Sequence, residues 1–322
     1  MKKKIALITT GGTIASKEIS KGLLHSGAMS GEELATLCHL PDDIGVKIVD
    51  VIQKPSMHID FDLMLKIRSA IISELKDESI CGVVITHGTD TLEETAYFLD
   101  LTINDQRPIV VTGSQRSPQE IGTDVYSNLR NSIYAAVNKE LTHAGVVVVF
   151  NERIYSAKYV KKVHASNIQG FESFGYGYLG IIDNNVVSIY QRPVYKDNYL
   201  IVKQIPRVDI IKCYSGVDGV LVDAALQAGA KGIILEGVGR GQVAPLMMNS
   251  IKSAIKAGIV VVITTSAEEG KVYPAYAYPG SAYDLQQNGV LLGEDYDSKK
   301  ARIKLAVLLA TVEKVTQEHF KR

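Results

Sequence analysis

The segment CGVVITHGTDTLEETAYFL, residues 81–99, decides how the fold is read. It passes from a short β-branched run, Gly82–Ile85, through Thr86-His87-Gly88-Thr89-Asp90, into a stretch where Leu92, Ala96 and Leu99 recur at i, i+4 and i+7. An unbroken apolar run predicts a strand covered on both faces, and the period that follows predicts a helix with one buried stripe. The same order recurs where Ile5–Ile8 precedes Thr9-Thr10-Gly11-Gly12-Thr13, where Ile109–Val111 precedes Thr112-Gly113-Ser114, and where Val146–Phe150 precedes Asn151-Glu152. Later, Gly232–Leu235 leads into Glu236-Gly237-Val238-Gly239, and Ile259–Ile263 into Thr264-Thr265-Ser266. Ile67, Ala70 and Ile71 give one intervening segment a one-sided stripe. Strands alternating with helices predict an α/β fold with a doubly wound, mostly parallel sheet.

The pattern lapses in QRPVYKDNYLIVKQIPRVD, residues 191–209, which holds two prolines and many charges. A linker over 191–212 is expected there, between a larger N-terminal catalytic α/β domain at 1–190 and a smaller C-terminal α/β domain at 213–322. The closing stretch Ser298–Val315 predicts a helix with a cationic first turn and an apolar stripe through Ile303, Ala306, Val307 and Ala310.

Composition narrows the function classes. The 322 residues carry 35 Lys and Arg against 35 Asp and Glu, so the chain has no net charge to attract nucleic acid or an anionic membrane. With 46% hydrophobic and 22% charged residues it is an ordinary globular chain, large enough to fold without disulfides. Its cysteines, Cys38, Cys81 and Cys213, are scattered and odd in number, which argues against a disulfide framework or a thiolate zinc site. The seven histidines show no metal-ligand spacing. The opening MKKKIALITTGGTIAS is basic, but Ile5–Ile8 is shorter than the roughly 7–15 apolar residues of a signal peptide. No later run reaches the about 18 apolar residues of a membrane span. A cytoplasmic location is expected.

Ligands of open α/β sheets bind at the carboxyl ends of strands. Two such ends carry glycine beside threonine, Gly12-Thr13 and Gly88-Thr89-Asp90. Glycine lets a ligand approach the backbone N–H groups, and a neighbouring hydroxyl is then a candidate nucleophile beside an oxyanion site. Neither segment matches a dinucleotide or P-loop pattern. Plainer readings stand beside these. Thr91 and Glu94 have capping-box spacing, Asp90 could be an ordinary N-cap, and Gly11-Gly12 could be a tight turn. Lys161 and Lys162 could be solvated, and Tyr276 and Tyr278, flanking a Pro-Gly turn, could be packing residues.

TTGGTIAS at 9–16 with THGTDTLEETA at 86–96 resembles the two signature segments of the bacterial-type L-asparaginase (asparaginase/glutaminase) family. The similarity extends through VTGSQRS at 111–117, VVVFNERIYSAKYVKKVHASNIQGF at 147–171, LEGVGRGQV at 235–243 and PAYAYPGSAYDL at 274–285, so it spans essentially the whole chain. The resemblance implies hydrolysis of asparagine to aspartate and ammonia without a cofactor. It also implies a homotetramer, a dimer of dimers, with sites formed between one subunit's N-terminal domain and its neighbour's C-terminal domain. Thr13 matches the first catalytic threonine, the nucleophile, and Thr89 the second. Asp90 matches the carboxylate for the substrate α-ammonium, and Lys162 the lysine coupled to Thr89. Ser56 in K-P-S-M-H matches the serine for the α-carboxylate. Met57 stands where a glutamine often meets substrate, and Ser114 where a backbone carbonyl accepts from the substrate amide. Gly12 and Gly88 are expected to border the substrate, and backbone N–H groups near Thr13 and Thr89 would hold the oxyanion.

The chain departs from that pattern in places. Many relatives place a catalytic tyrosine in the loop after the first strand, here KEISKGLLHSGAM, but no tyrosine precedes Tyr97. His25, or a tyrosine from elsewhere, could take its place. Near residues 279–282, where some relatives supply a glutamate from the neighbouring subunit, the chain has PGSA. Arg240 and Gln242 replace more usual asparagines. Other readings remain at this point: a glutaminase, a hydrolase of D-asparagine or a related amide, or a turnover-deficient asparagine-binding regulator.

Overall fold

The computed structural model describes residues 3–20, 23–25, 28–194 and 197–321. It divides into two compact units, 1–198 and 199–322.

An eight-stranded sheet organises the N-terminal unit. Five parallel strands run in the order Ile44–Asp50, Lys3–Thr9, Ile80–Thr86, Ile109–Thr112 and Val146–Phe150. Three antiparallel strands, Arg153–Ser156, Gly180–Asp183 and Val186–Ile189, extend the far edge. The inner parallel strands are apolar on both faces because helices cover both. Ile5, Leu7, Val84, Val110 and Val147 pack with Leu34 of helix Gly31–Leu37 and with Leu129 and Ile133 of helix Val125–Ala136. The alternate residues Ala6, Ile8, Val83 and Ile85 are equally buried. Helices Phe61–Glu74 and Leu92–Thr102 pack on each other, the first also on Lys3–Thr9 and the second on Ile109–Thr112 and Val146–Phe150.

The chain leaves Lys3–Thr9 for the neighbour on one side, Ile44–Asp50, and later builds outward from the other side with Ile80–Thr86. The carboxyl ends of Lys3–Thr9 and Ile80–Thr86 therefore flank the switch point of the sheet, the crevice where open α/β sheets bind ligands. The end of Val146–Phe150 offers no such crevice. Asn151 and Glu152, with φ of 46° and 64°, form a two-residue turn of the left-handed type that suits a hairpin and returns the chain antiparallel.

The C-terminal unit holds a parallel sheet in the order Val208–Lys212, Gly232–Gly237, Val260–Thr265, Leu291–Leu292. Val208–Lys212 corrects the expected linker of 191–212, whose last five residues are a strand. It pairs on one side only, so it tolerates Asp209 and Lys212, and that polarity hid it in the sequence. Tyr276 and Tyr278 are about half exposed and stack on each other rather than entering the core. The closing helix runs Ser298–Leu309, shorter than the expected Ser298–Val315, with Ile303, Ala306 and Val307 fully buried. Lys304 is also fully buried, its Nζ donating to Tyr296 Oη at 2.8 Å.

Asp297 caps that helix, its carboxylate accepting from Lys299 N at 2.8 Å and Lys300 N at 3.0 Å. Asp297→Ala is expected to destabilise the protein by about 1–2 kcal/mol, and Asp297→Ser by a smaller amount, since serine also caps. Chemical denaturation checks this: equal losses for both variants would contradict capping as the cause.

Candidate active site

Three turns meet at the switch point because glycine lines each contact. Gly11 and Gly12 have φ of 97° and 83°, in the left-handed region that favours glycine. A Cβ on Gly12 would lie 2.4 Å from Gly88 N, and one on Gly11 would lie 2.6 Å from Lys54 N and Lys54 O. A Cβ on Gly88 would lie 2.9 Å from Ser56 Oγ. The turns carrying Thr13, Ser56 and Thr89 thus touch backbone to backbone. The reading of Gly11-Gly12 as a tight turn is correct and incomplete, since the same glycines permit the close approach.

Thr91 does not close a capping box. It stands at the N-cap of helix Leu92–Thr102 with no side-chain cap, and its hydroxyl donates instead to Ser56 O at 2.8 Å. The bond ties the Ser56 turn to the Thr89 turn. Asp90 is not a cap either. Its Oδ1 accepts from Lys162 Nζ at 2.7 Å, with the lysine side chain 13% and the aspartate side chain 63% exposed. Lys162 Nζ also donates to Thr89 Oγ1 at 2.9 Å, and the Thr89 hydroxyl donates to Gln115 Oε1 at 3.3 Å. Lys162 lies in a short strand, Lys161–Lys162, and its backbone N–H donates to the fully buried Glu93 Oε2 at 3.1 Å. It is far from an ordinary solvated lysine.

These residues line a cavity of about 310 Å³, at the small end of small-molecule sites. Gly12, Thr13, Ser56, Gly88, Thr89, Asp90 and Lys162 all face it. Two expected substrate-binding residues do not. Met57 is 69% exposed and absent from the lining, because in the 3₁₀ turn Ser56–His58 successive side chains point about 120° apart. With Ser56 turned inward, Met57 must turn outward. Ser114, expected to act through its backbone carbonyl, is fully buried and is not among the lining residues; its hydroxyl donates to Arg116 O at 2.7 Å.

The lining also includes Ser16, Leu24, Pro55, Gln115 and Ala165, which motif reasoning missed. Gln115 directly follows Thr112-Gly113-Ser114, so its place beyond a strand end was the available signal. In the loop after the first strand, Leu24 reaches the cavity, whereas His25, paired with Lys17 in a hairpin, is exposed and outside the lining. Lys21, Gly22, Ser26 and Gly27 of that loop lie outside the described residues.

Two buried cysteines are held as neutral thiols. Burial pushes the Cys38 thiol up to about 12 and the Cys213 thiol up to about 11. His87, fully buried just before Gly88, is pulled down to about 4 by burial, so it is neutral at pH 7. Its Nδ1–H then donates to Gly88 O at 2.8 Å, which holds the turn, and among the described residues Nε2 has no partner.

Comparison with known proteins places this geometry. A family model described as "Asparaginase, N-terminal" matches residues 4–195, and one described as "Glutaminase/Asparaginase C-terminal domain" matches residues 207–319. The L-asparaginase of Bacillus licheniformis is 56% identical over 320 residues, covering 99% of both chains. L-asparaginase 2 of Bacillus subtilis strain 168 is 34% identical over 314 residues, 95% of this chain and 82% of that one. The crystal structure of a probable cytoplasmic L-asparaginase from Campylobacter jejuni superimposes with a TM-score of 0.88 at 32% identity, covering 99% of both chains. The chain is an α/β protein of the amide-hydrolase kind, built in two parts. It belongs to the asparaginase family.

A buried neutral histidine makes stability depend on pH. The unfolded chain takes up a proton near pH 6.5 and the folded one only near pH 4, so the folded state loses stability as pH falls through that window. The loss attributable to His87 should reach about 3 kcal/mol at pH 4 and vanish above pH 7. His87→Asn keeps a donor for Gly88 O but does not titrate. Unfolding free energies measured from pH 7 to 4 should fall less steeply in the variant; identical slopes would contradict the assignment.

Proposed function

We propose that this pocket hydrolyses the side-chain amide of L-asparagine to L-aspartate and ammonia, with Thr13 as nucleophile. The observation that carries the reading is two threonine hydroxyls, an aspartate and a lysine facing one small cavity in a chain of the asparaginase family. Thr13 opens the 3₁₀ turn Thr13–Ala15, whose first internal bond is Ala15 N–H to Gly12 O. The N–H groups of Thr13 and Ile14 precede that bond and are free of the turn's own ladder. They supply donors for an oxyanion, each worth about 2.7–4 kcal/mol in comparable sites.

The chemistry uses no cofactor. Thr13 Oγ1 attacks the carboxamide carbon, and the carbonyl oxygen takes the charge. The hydroxyl proton ends on the nitrogen, the C–N bond breaks, and ammonia leaves. Water then hydrolyses the ester, releasing the new carboxylate and restoring the threonine. Asp90 holds the substrate α-ammonium with the oxygen that Lys162 does not engage, and the inward-facing Ser56 holds the α-carboxylate. Lys162 faces Thr89 as a donor and fixes its hydroxyl oxygen. Selectivity for asparagine over glutamine cannot come from Met57, which faces away. It comes from where Ser56 and Asp90 anchor the amino-acid end, and one methylene of misplacement is worth about 1–3 kcal/mol.

A homotetramer, a dimer of dimers, fits this reading. Every lining residue belongs to the N-terminal unit, and among the described residues Thr13 Oγ1 has no hydrogen-bond partner to take its proton. A neighbouring subunit's C-terminal unit would complete the site, as the family resemblance implies. A cytoplasmic location is favoured by the description of the Campylobacter jejuni protein. Among the described residues no helix is long and apolar enough to cross a membrane.

Thr13→Ala and Thr89→Val should each lower kcat for asparagine by at least about 100-fold with the fold intact. Near wild-type kcat in either variant, with a native circular dichroism spectrum, would remove its role. Asp90→Asn should raise KM about tenfold or more, because the α-ammonium loses its counter-charge. An unchanged KM would place the ammonium elsewhere. Sedimentation at assay concentration should show a tetramer, and an active monomer would refute the shared site.

A further inference from the structure

A threonine hydroxyl has one hydrogen to donate and two lone pairs to offer. In Thr89 one lone pair accepts from Lys162 Nζ at 2.9 Å, and the hydrogen is donated to Gln115 Oε1 at 3.3 Å. The second lone pair is left to the cavity. Lys162 Nζ is engaged as the donor to both Thr89 and Asp90. Without Gln115 the hydroxyl would be free to turn its hydrogen into the cavity, presenting a donor where a lone pair stands.

Gln115 is itself held so that only its oxygen can face Thr89. Its Nε2 donates to His164 O at 3.2 Å, a bond only the NH₂ end of an amide can make. The amide passes over Gly170, where a Cβ would come within 2.0 Å of Gln115 Nε2, so any other residue there would displace it. At the backbone, Gln115 N and Arg116 N donate to the two carboxylate oxygens of the buried Asp124, each at 3.0 Å. The side chain therefore reaches the cavity with its position and its amide orientation both fixed.

We propose that Gln115 is a positioning residue for Thr89, taking the hydroxyl hydrogen so that an oxygen lone pair faces the substrate carboxamide. The proposal rests on the reading of the pocket as an asparagine amidohydrolase site. The orientation acts at the amide end, while Ser56 and Asp90 hold the amino-acid end. Loss of Gln115 thus lowers kcat and leaves KM nearly untouched. Gly170 belongs to the same device through the space it leaves.

The test measures kcat and KM for L-asparagine in the full-length wild type, Gln115→Met, Gly170→Ala and the double variant, each checked for native unfolding temperature. Gln115→Met keeps the length of the side chain and removes its acceptor. It should lower kcat about tenfold or more, with KM within about threefold. Gly170→Ala should do the same by displacing the amide, without altering any residue of the lining. The double variant should be no worse than the more impaired single, since both changes break one interaction. A Gln115→Met kcat within twofold of wild type overturns the proposal, as does a loss confined to KM. Multiplying losses in the double variant overturn it too. A wild type that releases no ammonia from asparagine overturns the reading of function on which the proposal rests, and is distinguished from these outcomes by that fact alone.

Discussion

Backbone contact between Gly12 and Gly88 is the constraint from which the site follows. The strands Lys3–Thr9 and Ile80–Thr86 are neighbours in the sheet, so the turns that leave them compete for the same space. They coexist because no side chain lies between them: a Cβ on Gly12 would sit 2.4 Å from one backbone atom of Gly88 and 2.5 Å from another. Those atoms belong to a buried turn and cannot move aside as the end of a flexible side chain would. The contact brings Thr13 and Thr89 to one cavity, and the contact of Gly88 with Ser56 adds the third turn. Side chains then lock what the glycines permit. Thr91 holds the Ser56 carbonyl, His87 holds the Gly88 carbonyl, and Glu93 holds the Lys162 amide.

The charged groups at the cavity are arranged for chemistry more than for stability. Lys162 is largely covered, but Asp90 is 63% exposed, and an ion pair open to water on one side is worth only about 0–1 kcal/mol. Its value lies in geometry. One lysine nitrogen reaches both the Thr89 hydroxyl and the Asp90 carboxylate, so the proposed substrate anchor and the hydroxyl proposed to act beside the amide keep a fixed separation. Fixed separation is what lets a site of this size tell apart two amides that differ by one methylene.

Much of this was legible in the residues, and the exceptions have physical causes. Continuous apolar runs marked four of the five parallel strands of the N-terminal unit, because burial on both faces leaves no room for polar residues, while Ile44–Asp50, with Lys47 and Asp50, gave no such run. The edge strands Val186–Ile189, Ile44–Asp50 and Val208–Lys212 were harder to see, since a strand paired on one side only tolerates polar residues. Thr91 and Glu94 have the spacing of a capping box, yet the Thr91 hydroxyl finds a carbonyl in a turn 35 positions earlier in the chain, which local spacing cannot reveal. Thr13, Thr89, Asp90 and Lys162 were found through family motifs, and the structure places them around one cavity. Met57 was named from its match to a family glutamine position, yet its side chain faces away from the cavity, because a 3₁₀ turn separates neighbours by about 120°. Gln115 lies within VTGSQRS but was not singled out there, and Leu24 carries no motif; the folded backbone brings both to the pocket.

Glycine-permitted contact of two turns creates the cavity in which the proposed threonine chemistry acts on asparagine. The decisive measurement is ammonia release by the wild-type protein, side by side with L-asparagine, L-glutamine and their D-forms. Ammonia release with kcat/KM highest for L-asparagine is the expected result. It would be contradicted by a glutamine value equal to or above that for asparagine, or by a thermal shift with asparagine unaccompanied by any ammonia.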